Sequence, residues 1–523
     1  MEKRSSLDEI NDTSARYVVS PKVVAAYGDD KKRVQALIIE MNLDFPGGRH
    51  AAVKQIVELL RGVIGRNHKK GFNAEGSRHH VFAELTLQQL RDLLERDVEN
   101  GKPAIYKVWP DRELEPYLDH SVQTIKADAC LRSFGAEGVG IVWAVADSGI
   151  DGTHPHFADF DNLSPPFQGS APYSSPRPSV DGKLTHRDFT GGDAPLTDVY
   201  GHGTHVAGII AGATPKRVAG QDGKVTNVFK VTRERDGDAC VRQFVRECGS
   251  RLTGVAPKAK LLSLKVLGDN GRGRESWLLS ALDFVARTND DGRWLSIHGI
   301  NLSLGYPFEA EWFAAGQSPL CVAVNRLVKQ GVVVVVAAGN DGSALIKPEL
   351  SSQNRRVGLD QSISDPGNAE FAITVGSTHP EQPHTYGVSY FSSRGPTADG
   401  RNKPDLVAPG ERIVSCASAG VIASLRGDQQ VAGQLPSEVV ATGNNNATKV
   451  PSDVVYYREQ SGTSMAAPHV SGAIAAFLSV RREFIGQPER IKDIFLQSAT
   501  DLGRRREFQG SGLVDLMRAM QSV

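Results

Sequence analysis

The chain has 523 residues, with 60 Lys and Arg against 60 Asp and Glu, so its formal net charge is zero. Hydrophobic residues make up 40 % and charged residues 23 %, which excludes a disordered or collagen-like chain and supplies apolar material for a large core. A neutral balance argues against nucleic acid or an anionic membrane as the main partner, because both select a basic excess.

The first nine residues carry charge with no apolar run behind them, which is not a secretory signal. The longest apolar run, residues 332–338, falls far short of the about 20 residues that span a bilayer. A cytoplasmic chain without a membrane segment is the expectation. The five cysteines, Cys130, Cys240, Cys248, Cys321 and Cys416, form no CxxC pair and their odd number prevents complete pairing. They read as free buried thiols rather than as a disulfide scaffold or a zinc ribbon, with Cys240 and Cys248 able to meet only in an oxidising compartment.

In chain order, residues 34–41 read as a strand, and residues 50–64 place Ala51, Val53, Ile56, Val57, Leu60 and Val63 at helical spacing. Residues 80–85 alternate as a half-buried strand, and Thr86 caps a second amphipathic helix through Leu87, Leu90, Leu93 and Leu94. Residues 104–109 form a closing strand. This order makes residues 1–120 a small α+β unit. From residue 121 strands and helices alternate. Residues 140–146 are nearly all apolar, as in a parallel strand buried on both faces. Comparable strands are expected at 260–266, 300–304, 332–338 and 372–375, with helices at 205–211, 276–287 and 320–330. The fold class is therefore α/β over residues 121–523, a doubly wound and mostly parallel sheet with helices on both faces. Ligands bind such sheets beyond the carboxyl ends of the strands. Residues 159–187, 213–252 and 421–451 interrupt the pattern as solvated surface excursions, rich in Pro and Ser, in charge, and in polar residues respectively.

Four short segments carry chemistry. Asp147-Ser148-Gly149 closes the strand at 140–146, where an Asp serves either as a turn residue or as a functional carboxylate. His202 stands between Gly201 and Gly203 at the mouth of an apolar helix, an end whose dipole opposes a charged imidazole unless a carboxylate such as Asp147 offsets it. His205, three residues on, reads as a packing histidine. Ser464 lies among small residues at a helix start, as a cap or as a nucleophile whose proton passes to His202 while Asp147 orients the ring. Asn340 follows the most apolar strand, as a turn residue or as an oxyanion donor together with the Ser464 N–H. The order Asp, His, Ser separates this set from other triads.

Asp147-Ser148-Gly149, His202-Gly203-Thr204-His205-Val206-Ala207-Gly208, Ala338-Gly339-Asn340 and Gly462-Thr463-Ser464-Met465-Ala466 closely resemble the signature blocks of the subtilisin-like serine proteases, from about Ile125 to about Leu516. The resemblance implies Asp147 as orienting acid, His202 as general base, Ser464 as nucleophile and Asn340 as oxyanion donor. It implies that Ser303, Leu304 and Gly305 pair with the backbone of a protein or peptide substrate. It also makes residues 1–120 a pro-region, first folding helper and then inhibitor of its own cleft, with self-cleavage near residues 110–120. The enzyme is thus expected to be a self-processing zymogen. No cofactor is expected. Calcium stays unassigned, because the place of the family's calcium loop is taken by residues 213–252, where Asp222, Asp236 and Asp238 are the oxygen donors at hand.

Two other classes compete. His154, His156, His186, His202 and His205, near Asp147, Asp151 and Asp188, could supply zinc ligands to a metallohydrolase, although no HExxH motif is present. A non-catalytic protein that kept the fold would be marked by loss of a triad residue, and none is missing.

Overall fold

The computed structural model describes residues 33–64, 72–73, 80–99, 102–110, 120–164, 184–215, 227–236, 240–247, 252–309, 311, 314–346, 355–427 and 454–523, with Val19, Val23 and Tyr27. The chain divides into two units, Met1–Glu115 and Pro116–Val523.

In the first unit the order is β1 (Val34–Met41), α1 (Gly48–Ile64), β2 (Phe72–Asn73), β3 (His80–Thr86), α2 (Leu87–Glu99) and β4 (Ile105–Pro110). The sheet runs β2-β3-β1-β4, with β1 antiparallel to both neighbours. Alternate residues Leu37, Ile39 and Met41 of β1 point inward with Val81 and Leu85 of β3. They meet Ile56 and Leu60 of α1 and Leu90 and Leu93 of α2 in one core. The expected cap at Thr86 is a reciprocal one: the Gln89 N–H donates to Thr86 Oγ1 (3.3 Å) and the Thr86 N–H to Gln89 Oε1 (2.9 Å). Buried Asp97 accepts the N–H groups of Ala104 and Ile105 at 3.0 and 2.9 Å, which fastens α2 to β4.

The second unit is built on β5 (Val142–Asp147), β6 (Arg187–Asp188), β9 (Lys260–Lys265), β10 (Gly299–Leu302), β11 (Val333–Ala337), β14 (Ile373–Thr378) and β15 (Leu406–Pro409). They form a seven-stranded sheet, β15-β14-β11-β10-β5-β9-β6, parallel at every pairing. Strand period dictates two cores. Trp143 and Val145 of β5 face α3 (Ala127–Phe134), α4 (His202–Ile210), α7 (Thr463–Val480), α8 (Pro488–Ser498) and α9 (Leu516–Gln521). Val142, Ala144 and Ala146 face α5 (Glu275–Thr288) and α6 (Pro319–Lys329). Helices on both faces account for strands without a polar side. The chain lays β6 and β9 on one side of β5 and then crosses to β10, so the switch in strand order falls between β5 and β10, where a crevice opens at the carboxyl ends.

The α7 helix has the length and apolar composition of a membrane span, but 83 % of it is buried inside the unit as its central helix. Its many Ala, Gly and Ser residues let sheet and helices approach closely.

The reading of residues 213–252 as a surface excursion is corrected in part. It contains β7 (Asn227–Asp236) and β8 (Cys240–Glu247), an antiparallel pair. These extend a second sheet, β16-β17-β7-β8, with β16 (Ile413–Cys416) and β17 (Val454–Gln460). Val228 and Val231 of β7 are buried in it. A further hairpin, β12 (Ser343–Ile346) with β13 (Arg355–Gly358), follows Asn340. Most of the other two insertions lies outside the described residues, as do Cys248, Asp222, Asp238 and the side chains of Cys240 and Asp236. Cys130, Cys321 and Cys416 are free and buried.

Candidate active site

Asp147 is the last residue of β5 and fully buried, so its carboxylate needs donors. The Ser148 N–H gives one to Oδ1 at 2.7 Å. His202 Nδ1 gives the other, 2.8 Å from Oδ1 and 3.0 Å from Oδ2. This leaves Nε2 as the ring nitrogen able to take a proton. The contact requires Gly203, because a Cβ there would lie 2.1 Å from the Gly149 carbonyl and 3.1 Å from Asp147 Cβ. Burial lowers the affinity of the His202 ring for a proton. The Asp147 charge and hydrogen bond, with the Asp198 charge behind them, outweigh it, and the pKa stands above the ordinary 6.5.

Asp198 was not singled out in the sequence, and it organises this side of the site. It is buried, and its oxygens accept from Ser148 Oγ (2.8 Å), the Gly201 N–H (2.7 Å), the Thr204 N–H (2.8 Å) and Thr204 Oγ1 (2.6 Å). It therefore caps α4 from outside the helix. Ser148 Oγ in turn accepts the Gly203 N–H at 2.9 Å. Desolvation raises the pKa of Asp198 in spite of these bonds. An Asp four residues before His202, ahead of a helix start, was the available signal.

Ser464 is the second residue of α7. Pro468, inside the same helix, has no N–H to give the carbonyl four residues before it, which is that of Ser464. Ser303 fills the gap: its Oγ donates to the Ser464 carbonyl at 2.8 Å, while Ser464 Oγ donates back to the Ser303 carbonyl at 3.1 Å. Behind this clasp, buried Asn301 donates from Nδ2 to Ser303 Oγ (2.8 Å) and accepts from Ser471 Oγ (2.9 Å). The Ser464 hydroxyl is thus tied to the residue that follows β10 and not to the His202 ring. His202 and Ser303, with Leu304 and Gly305, line one cleft of about 490 Å³.

Asn340 is exposed just beyond β11. Its Oδ1 accepts from the N–H of Thr463 (2.9 Å) and from Thr463 Oγ1 (3.2 Å), which turns the amide's donor edge away from Thr463.

The histidines of the zinc reading are engaged elsewhere. His154 Nε2 lies 2.9 Å from the Tyr456 carbonyl, His156 Nδ1 2.9 Å from the Tyr457 hydroxyl, and His186 Nε2 2.6 Å from the Leu163 carbonyl. His205 is a buried packing residue, with Nε2 3.0 Å from the Arg458 carbonyl and 3.2 Å from that of Ile413. Among the described residues no group of three His, Cys, Asp or Glu side chains is placed to hold a metal.

The model of the subtilase family matches residues 138–513. The chain belongs to the subtilase family. It is similar to the serine protease AprX of Bacillus subtilis, 27 % identical over 487 residues that cover 90 % of this chain and 86 % of that one. The major intracellular serine protease of the same organism is 27 % identical, covering 73 % of this chain and 81 % of its own. Subtilisin E is 26 % identical, covering 80 % and 76 %. This subtilase is therefore a subtilisin-like serine endopeptidase, a hydrolase acting on protein or peptide substrates.

Proposed function

We propose that peptide hydrolysis runs through Asp147, His202 and Ser464 with an acyl-enzyme intermediate. The observation that carries this reading is the buried Asp147 carboxylate on His202 Nδ1 beside a cleft that also holds Ser303, the partner of Ser464. A substrate strand pairs with Ser303, Leu304 and Gly305, and its N–H displaces the Ser464 hydroxyl from the Ser303 carbonyl. Ser464 Oγ then attacks the scissile carbonyl as its proton moves to His202 Nε2. Asp147 keeps the other proton on Nδ1 and balances the imidazolium charge. The Asn340 amide and the Ser464 N–H, one of the helix's unsatisfied first donors, stabilise the oxyanion. His202 returns the proton to the leaving amine, and water repeats the cycle on the ester. Every proton and electron pair is carried by side chains, so the reading assigns no cofactor.

We also assign the first unit to the role of pro-region and intramolecular inhibitor. What supports this is its separate α+β core and the row Phe82–Ile38–Trp109, in register across β3, β1 and β4 on the sheet face opposite its helices. Such a row suits packing against another surface.

One experiment tests both parts. A fluorophosphonate is expected to label Ser464 in the presence of a chelator, and the purified chain to acquire a new amino terminus near residues 110–120. Ser464→Ala is expected to take no label and stay full length. A labelled Ser464→Ala variant would overturn the triad, and one that still matures would move the cut to another molecule.

A further inference from the structure

Gly201, the residue before His202, has φ 79° and no room for a Cβ, which would lie 2.3 Å from Val421 Cγ2. Its peptide groups are held from two sides. Asp198 Oδ1 takes its N–H at 2.7 Å, and Arg458 Nη2 reaches its carbonyl at 3.5 Å. Arg458 belongs to β17, the strand that pairs with the inserted β7 and runs on to Ser464. Its own carbonyl meets His205 Nε2 one turn along α4. The guanidinium is half-buried, and among the described residues it makes no ion pair with a carboxylate. Burial pulls its pKa down to about 10, opposed by the charges of Asp198 and Tyr200, so it remains a cation in neutral solution.

We propose that Asp198 and Arg458 are a pair of opposed positioning residues for His202, fixing the Gly201 peptide from its two ends while presenting opposite charges to the ring. The proposal rests on His202 being the general base. The charged and titratable groups around that ring are Asp147 from β5, Asp198 from the stretch before α4, Arg458 from β17, Tyr200 with its ring centre 6.3 Å away, and His205 on the helix itself. Asp147 and Asp198 favour the imidazolium and Arg458 disfavours it. Arg458 thus counterweights two carboxylates, keeping the base from being protonated too early as the medium acidifies. It acts from the sheet that the insertion enlarges, which gives the excursion a part in setting the enzyme's working range.

The test is the acid limb of kcat/KM against pH, which reports the base in the free enzyme. Arg458→Gln is expected to move that limb up by about half a pH unit and Asp198→Asn down by a similar amount, less than the one to three units that a charge in direct contact supplies. The double variant is expected to return close to the parent, and Arg458→Lys, which keeps the charge without the fork, to keep the parent limb. Activity that falls in Arg458→Gln with its limb unmoved would reduce Arg458 to a packing role and overturn the proposal. Should Asp198→Asn not fold, the two Arg458 variants decide alone. His202→Ala separates the premise: retained activity there removes the base assignment itself, whatever the limbs do.

Discussion

Around His202 stand three charged groups, Asp147, Asp198 and Arg458, on β5, before α4 and on β17. The hydrogen-bonding groups around Ser464 are neutral: Asn301 of β10 and Ser303 just beyond it, Ser471 of α7, and Asn340 with Thr463. Both sets are densely hydrogen bonded, but only the first changes when protons are gained or lost. One half of the site is built to be tuned and the other to be held. A charged network responds to pH and to charge substitutions, whereas a neutral one responds to shape and to the loss of single bonds.

Four substitutions and one condition bear on that contrast. The largest effect is expected for Ser464→Ala, with kcat down by about 10⁶-fold, the magnitude a subtilisin shows for the same loss, and an unchanged melting temperature, read by peptide kinetics and calorimetry. Asp147→Asn should follow at about 10⁴-fold in kcat, because the amide favours the wrong tautomer of His202. Asn340→Ala should lower kcat by about 10²–10³-fold, again the magnitude for such a donor in a subtilisin, with little change in KM. Its acid limb should stay with the parent's, and a moved limb would break the separation of the two halves. The parent itself should lose activity as pH falls through the raised pKa of His202, at a midpoint above 6.5, because the base works only as the neutral ring. Smallest is Ser471→Ala, which leaves Asn301 Oδ1 without its donor and should cost about 1 kcal/mol of stability by denaturant titration, with no change in the pH profile.

The parallel sheet was legible because Val142 to Ala146 and Val333 to Ala337 are buried on both faces and so are written in apolar residues throughout. Asp147, His202, Asn340 and Ser464 stand out in the sequence because each sits in a run of small residues that leaves few other uses for its functional group. The inserted strands were not. Their alternation is filled with Arg and Glu, and β7 becomes a strand chiefly because β17, more than 200 residues later, offers it an edge. Arg458 was invisible for the same reason, since nothing near it in the sequence announces that its neighbour is Gly201. Ser303 was read only as a residue that pairs with substrate, because its bond to α7 and that of Asn301 depend on which helix lies beneath them.

Pro468 leaves α7 one rung short, and a serine just beyond a neighbouring strand occupies the vacancy. Repairing the ladder with alanine would strengthen the helix taken alone and strand that serine's hydroxyl at the same moment. The imperfection is a fastening point, so a change that every local propensity favours would detach Ser303 from the first turn of α7, which carries Ser464.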